Sequence, residues 1–432
     1  MSDSILTPDT QAILLICGSL GQDRGAYPQP LTSMEFSRLA QWLDSRCLQP
    51  ADLLNKDIIA GLEENRALKN DPRRLRALLN RGGALAINVE GWTNKGLWIM
   101  SRYDKDYPYR WIKRLGHYAP ALVYGAGNRD LLSKGGLAIV GSRDVSEKGI
   151  AVARRAANIC SNEGMQIISG GARGVDREAM ISALLQGGNV IGVLADSLER
   201  SSFSSKYRRA LRAGKLTLVS PYDPRASFNV GNAMNRNKLV YCLSDCALVV
   251  SSAFGKGGTW AGATENLKRK WVPVFVFEGD GVPDGNRFLI EEGAIGLNSA
   301  MLIDENVFME SLKSQCDILL DPEIQNNVIY SSEINDRDQP KEPTNEESLS
   351  SDIVTKSKVA FDLFPKVWPF IKAELQSAKT DRELSEIFNV QSTQMRAWLN
   401  QAVDCHLALK LKRPTRYVIQ KDQSLLKKWE ID

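Results

Sequence analysis

From about residue 137 the apolar positions fall into short continuous runs separated by stretches of helical period. Residues 137–140, 166–168, 190–194, 216–219, 247–250 and 272–277 are predominantly apolar, as strands buried on both faces are. Behind Ser146, a capping residue, Ile150, Val152, Ala153, Ala156, Ala157, Ile159 and Cys160 recur at helical spacing, and Gly164 sits where a C′ glycine belongs. Further helices are predicted near 176–186, 203–213, 228–244, 259–270 and 286–292. Such alternation predicts an α/β domain with an extended Rossmann-like, doubly wound, mostly parallel sheet and right-handed crossovers.

The flanks carry other patterns. Residues 1–115 are predicted to be mainly helical: 9–18 is apolar, 32–43 is amphipathic behind Thr32-Ser33-Met34-Glu35, and 71–79 is basic. Residues 91–128 are aromatic-rich, with a Tyr107-Pro108 turn, and lead into the first strand. Residues 326–358 are polar and acid-rich, the composition of a flexible linker. Globular patterning then resumes with an amphipathic helix over 361–375 and a capping-box start at Thr380-Asp381-Arg382-Glu383. A turn over 388–391, a helix over 392–403 and a two-stranded wing around Pro414 complete a winged helix-turn-helix. The expected organisation is thus a helical region (1–115), a Rossmann-like domain (116–325), a linker (326–358) and a winged-helix domain (359–432).

Length and charge narrow the picture. The 432 residues suit two or three domains. A net charge of +4 is mild, so any affinity for nucleic acid must come from local clustering. The seven cysteines are scattered without framework spacing, as for reduced thiols in the cytoplasm. Cys242 and Cys246 lie four apart, but with two histidines in the whole chain a zinc site is not expected. No secretory signal or membrane-spanning run is read, so a cytoplasmic protein is expected.

The candidate chemistry lies in turns that follow strands. Gly141-Ser142-Arg143, Ser169-Gly170-Gly171-Ala172-Arg173-Gly174 and Lys256-Gly257-Gly258-Thr259 all fall at the carboxyl edge of the predicted sheet, where ligands of open α/β sheets bind. Asn235-Arg236-Asn237-Lys238 adds amide and cationic donors. A dinucleotide site would need Gly-x-Gly-x-x-Gly and an acid ending the second strand. The first turn has no second glycine until Gly149, and the second strand ends at Ser169. Phe254 to Thr259 lacks the first glycine of a Walker loop, so no cofactor is expected. A row of turns, each taking one phosphate of a single strand, fits what remains. Asp176 reads as a helix cap that also holds Arg173, and Trp92, Trp98 and Trp111 read as core.

These motifs carry a resemblance. Gly141-Ser142-Arg143, Ser169 to Asp176 and Arg236-Asn237-Lys238, with the Tyr107-Pro108 and Ala119 to Asn128 lead-in and Gly293-Ala294, are similar to the motif set of the DprA/Smf family of DNA-processing proteins over roughly residues 92–300. The resemblance implies a non-enzymatic, dimeric protein that binds single-stranded DNA and helps load the RecA recombinase during natural transformation. It also implies that the Gly-Ser-Arg turn, the Ser-Gly turn and the Arg-Asn-Lys helix start line the strand-binding pocket, with Lys206 and Arg208 as secondary basic contacts. The chain departs from the family pattern at Met180, at the long Phe228 to Asn235 segment and at Lys256 to Thr259. Two other readings stay open. One is a nucleic-acid-sensing component of a phage-defence or toxin–antitoxin system. The other is a nucleotide phosphoribohydrolase, for which Gly262 stands where the glutamate belongs and Glu265 comes later. On the predicted winged helix, Arg396, Lys410, Lys412, Arg413 and Arg416 leave duplex DNA and protein docking equally open.

Overall fold

The computed structural model of the protein describes residues 6–22, 27–55, 72–279, 281–319, 364–388, 390, 392–404, 407–411 and 415–419. Its centre is a nine-stranded sheet: β1 (Leu97–Ser101), β2 (Leu122–Gly127), β3 (Leu137–Gly141), β4 (Ile167–Ser169), β5 (Val190–Val193), β6 (Leu216–Ser220), β7 (Cys246–Ser251), β8 (Val274–Phe277) and β9 (Ile295–Leu297). They lie in the order β1-β2-β6-β5-β4-β3-β7-β8-β9. From β6 to β9 every pairing is parallel, whereas β2 runs antiparallel to both β1 and β6. The chain moves outward from β3 through β4 and β5 to β6, then returns to place β7 on β3's other side. That reversal puts the topological switch point between β3 and β7.

Alternation along the strands builds two layers. Leu137 and Ile139 of β3 join one buried cluster with Val152, Ala156 and Ala179 from the helices Glu147–Asn162 and Val175–Leu185. Ala138, between them, joins a second with Leu239, Tyr241 and Leu243 of the helix Val230–Leu243 and with Trp111. The strands are therefore covered on both faces, which is why their sequences are uninterrupted apolar runs. Trp92 and Trp111 are fully buried, as expected, while Trp98 is partly buried and packs against the second cluster.

The N-terminal segment is helical at Pro8–Cys17, Ser33–Asp44, Pro72–Leu79 and Gly82–Asn94. Thr32 and Glu35 form the expected capping box. Residues 56–71 lie outside the described residues. Ile13, Leu14, Phe36 and Leu39 enter the same cluster as Leu97, Ile99 and Tyr124. The sheet thus draws on both sides of the division expected after residue 115, since β1 precedes it. β1 and β2 were not foreseen from the sequence, because the aromatic-rich lead-in shows no clean alternation and the two glycines of β2 read as turn residues. β9, three residues long, was also missed.

The predicted linker lies outside the described residues. Beyond it come helices Phe364–Glu374, Asp381–Phe388 and Ser392–Asp404, and a hairpin of β10 (Ala408–Leu411) and β11 (Arg416–Ile419). The capping box is present: Thr380 N–H donates to Glu383 Oε2 at 2.7 Å and Glu383 N–H to Thr380 Oγ1 at 3.1 Å. Ile371, Leu384, Met395, Leu399 and Tyr417 form a separate core that touches Ala86. Arg396 is paired with Asp381 at 2.6 Å. Lys412, Arg413 and Pro414 lie outside the described residues. Among the described residues, no helix is long and apolar enough to cross a membrane.

Candidate nucleic-acid interface

A cavity of about 580 Å³ opens at the carboxyl ends of β3 and β7, at the switch point of the sheet. Gly141, Ser142 and Arg143 form one wall, Asp176, Arg236 and Asn237 the floor, and Lys256, Gly257, Gly258 and Thr259 the opposite wall. Three segments distant in sequence thus converge on one site.

The first turn is tied down by Ser142 N–H, which donates to Ser251 O at 2.9 Å. Arg143 is exposed, its guanidinium 5.2 Å from the Phe228 ring centroid. On the far wall, Asn237 Nδ2 donates to Gly258 O at 2.9 Å, joining the helix Val230–Leu243 to the start of the helix Gly257–Arg269. The amides of Gly257, Gly258 and Thr259 belong to that helix's first turn, a favourable place for an anion. Lys256 precedes them and is exposed.

The second turn plays another part than expected. Asp176 is neither a cap nor a partner of Arg173. The N-cap is Gly174, and the buried Asp176 carboxylate stands 3.8 Å from Arg236 Nη1, with the backbone amides of Ala172, Gly141 and Gly170 acting to lower its pKa. Arg236 packs so close to Gly170 that a Cβ there would fall 1.2 Å from Nη1. Gly174, at φ +86°, lies under the first turn, where a Cβ would meet Ser142 O at 2.3 Å. Ser169 Oγ donates to Ile139 O at 2.6 Å, inside the sheet. None of Ser169, Gly170, Gly171 and Gly174 lines the cavity; Gly174 packs under the first turn, Gly170 against Arg236 and Gly171 against Leu194. Arg173 points away to Asp144, at 2.5 Å in an exposed pair.

Asn235 to Lys238 are not a helix start either. The helix begins at Val230, capped by Asn229, whose side chain accepts from Asn232 N–H at 3.2 Å. The backbone amides of 235–238 belong to the helix ladder, so only their side chains are available. The helix divides two spaces: Arg236 and Asn237 line the cavity described, whereas Asn235 and Lys238 line a second one of about 810 Å³ against the N-terminal segment. Lys238 Nζ lies 5.6 Å from the Tyr118 ring centroid. Lys206 and Arg208 sit outside both, on the helix Ser205–Arg212. Burial, followed by the charge of Arg177, draws Lys206 down to about 8.

Electrostatics on the floor favour an incoming acceptor. Burial pushes the Asp176 carboxyl up, against the pull of Arg236 and the three amides, and lowers Arg236 against the pull of Asp176. Arg236 Nε and the Tyr241 hydroxyl, both buried at the cavity, have no hydrogen-bond partner. Burial, then the charge of Asp176, raises Tyr241, so the phenol remains protonated. Two orphaned donors each carry a desolvation cost of about 1–3 kcal/mol that an acceptor would relieve. Tyr241 was missed from the sequence because it looks like one more apolar-face residue; Phe228 and Met234, also in the lining, were missed for the same reason.

Neither position weighed for a glycosidic hydrolase's carboxylate brings one into this lining. Gly262 occupies its place, against Tyr241 and Asn237, and Glu265 is exposed elsewhere. Met180 is buried in the sheet's core. Among the described residues, no group of three or more histidine, cysteine or acidic side chains is arranged to hold a metal.

Known proteins resemble the chain over this region. The sequence model of the family described as DNA recombination-mediator protein A matches residues 98–307. The DNA processing protein DprA of Streptococcus pneumoniae is 30% identical over 195 residues, 44% of this chain and 67% of the relative. DprA of Bacillus subtilis is 28% identical over 249 residues, 56% of this chain and 79% of the relative. The X-ray structure of DNA processing protein A from Streptococcus pneumoniae superposes with a TM-score of 0.54 at 23% identity, covering 69% of this chain and 97% of that one, a likeness of fold.

Proposed function

The chain belongs to the DNA recombination-mediator protein A family, also called DprA/Smf, and on that footing we propose that it binds single-stranded DNA at the β3–β7 cavity as a DNA-processing protein. The observation that carries this reading is the pair of orphaned donors, Arg236 Nε and Tyr241 Oη, on the floor of a cavity walled by Arg143 and Lys256. The site offers cations and neutral donors, and among the described residues of its lining the acidic side chain is Asp176, which stands 3.8 Å from Arg236. Phosphate oxygens, or acceptors on a base edge, suit such a set.

The role is one of binding. Among the described residues of the lining the acidic side chain is Asp176, buried 3.8 Å from Arg236, while Glu265, considered for the hydrolase reading, lies outside. By family analogy the protein acts in the cytoplasm as a homodimer that protects single strands and assists a RecA-type recombinase. The C-terminal helices and hairpin would serve as a winged-helix docking module, joined by residues 326–358.

Fluorescence anisotropy with matched single- and double-stranded oligonucleotides tests the proposal. Single-strand preference, with no free base released from nucleoside monophosphates, is the expected result. Equal affinity for both forms, or base release that is lost in Glu265→Gln, would overturn it.

A further inference from the structure

Large, exposed apolar side chains stand at the cavity beside its cations. Phe228 (50% exposed), Val230 (68%) and Met234 (39%) stand in its lining, and Phe254 (53%) lies on the turn between two lining residues, Ala253 and Lys256. A site for phosphate alone has no use for exposed aromatic faces. A single strand presents both phosphates and unpaired bases, and proteins that hold one combine a cationic groove with aromatic platforms.

Phe254 has the properties of such a platform. Its ring lies 4.0 Å from that of Phe288 with a 32° interplanar angle, and 5.1 Å from Trp260, edge to face. Two aromatic neighbours thus hold in place a ring that is still half exposed, so little side-chain entropy is lost when something stacks on it. Arg287 sits 5.1 Å from the Phe288 ring centroid, and the exposed Lys256 follows Phe254 by two residues, so positive charge lies close by. Phe228, by contrast, already has Arg143 against its ring.

We propose that Phe254, backed by Phe288 and Trp260, is a stacking platform for a nucleobase of the strand whose backbone enters the β3–β7 cavity. The inference rests on the single-strand reading above and adds a base contact to it. Stacking is tolerant of base identity, so the platform raises affinity for any single strand while rejecting a duplex, whose bases are already stacked.

Anisotropy of the full chain with a 20-nucleotide oligothymidine and an equally long abasic phosphodiester separates the two claims. Phe254→Ala is expected to weaken oligothymidine binding by about tenfold, the scale of one stacked base, and to leave the abasic strand unaffected. Phe254→Trp should keep or improve the affinity for oligothymidine. If Phe254→Ala weakens both strands equally, or neither, the platform is refuted while the cavity reading stands. If the wild-type chain binds neither strand, both fall. A change of oligomeric state in Phe254→Ala without DNA, seen by sedimentation velocity, would make the ring a protein contact and also refute the platform.

Discussion

Asp176 and Arg236 set the character of the site between them. Each is buried, each is displaced by burial toward its neutral form, and at 3.8 Å their attraction only partly offsets that burial. The folded-state pKa of Asp176 stands above its unfolded value, so its contribution to stability is fully present below about pH 4, the unfolded value, and is lost as pH rises through the folded one. Asp176→Asn, which resembles the protonated carboxyl, should therefore gain stability relative to wild type as pH rises from about 4 to 7. Urea denaturation of both proteins at each pH measures it; a difference that stays constant with pH would refute the linkage. Arg143 was legible in the sequence as a residue of a glycine turn, and Arg236 as part of Asn235-Arg236-Asn237-Lys238. Their unequal roles were not, because the burial of Arg236 depends on a carboxylate from a different crossover. Arg143, exposed and outside this network, is the cleaner probe of binding.

Among elements, the crossing of turn and helix is the most constrained. Gly170 leaves room for the guanidinium of Arg236, and Gly174 leaves room for the carbonyls of the first turn. These glycines were read as phosphate-binding turns; in the structure they are the packing that holds Gly141 to Arg143 at the cavity. Gly170→Ala must displace Arg236 from Asp176 and should cost about 3–5 kcal/mol, the scale for breaking a buried ion pair. A thermal melt measures it, and a Tm within a degree of wild type would contradict the packing account. The parallel strands were legible because burial on both faces leaves an unmistakable apolar run. β1 and β2 were not, since an antiparallel edge with aromatic and glycine positions follows no clean period, and their pairing is fixed by the helical segment packed on them. The helix Val230–Leu243 was placed by its period to within two residues at its start, whereas the helix start that the resemblance implied at Arg236-Asn237-Lys238 was not borne out. Asn229 as the cap moves Asn235 to Lys238 into its interior and sends their side chains to two different cavities.

For the whole molecule, a modest net charge conceals a local concentration of donors. The N-terminal helices share the sheet's core, the C-terminal helices and hairpin hold a core of their own, and the cavity opens where the strand order turns. The fold thus places Arg143, Lys256 and a helix N-terminus around two orphaned donors. The most direct test of this arrangement is the salt dependence of single-strand affinity, measured by anisotropy from about 50 to 200 mM salt for wild type, Arg143→Ala and Lys256→Ala. The account predicts a steep wild-type slope that falls by about 0.7 with each cation removed, the increment for one phosphate contact on a single strand. Affinity and slope unchanged in both variants would contradict it.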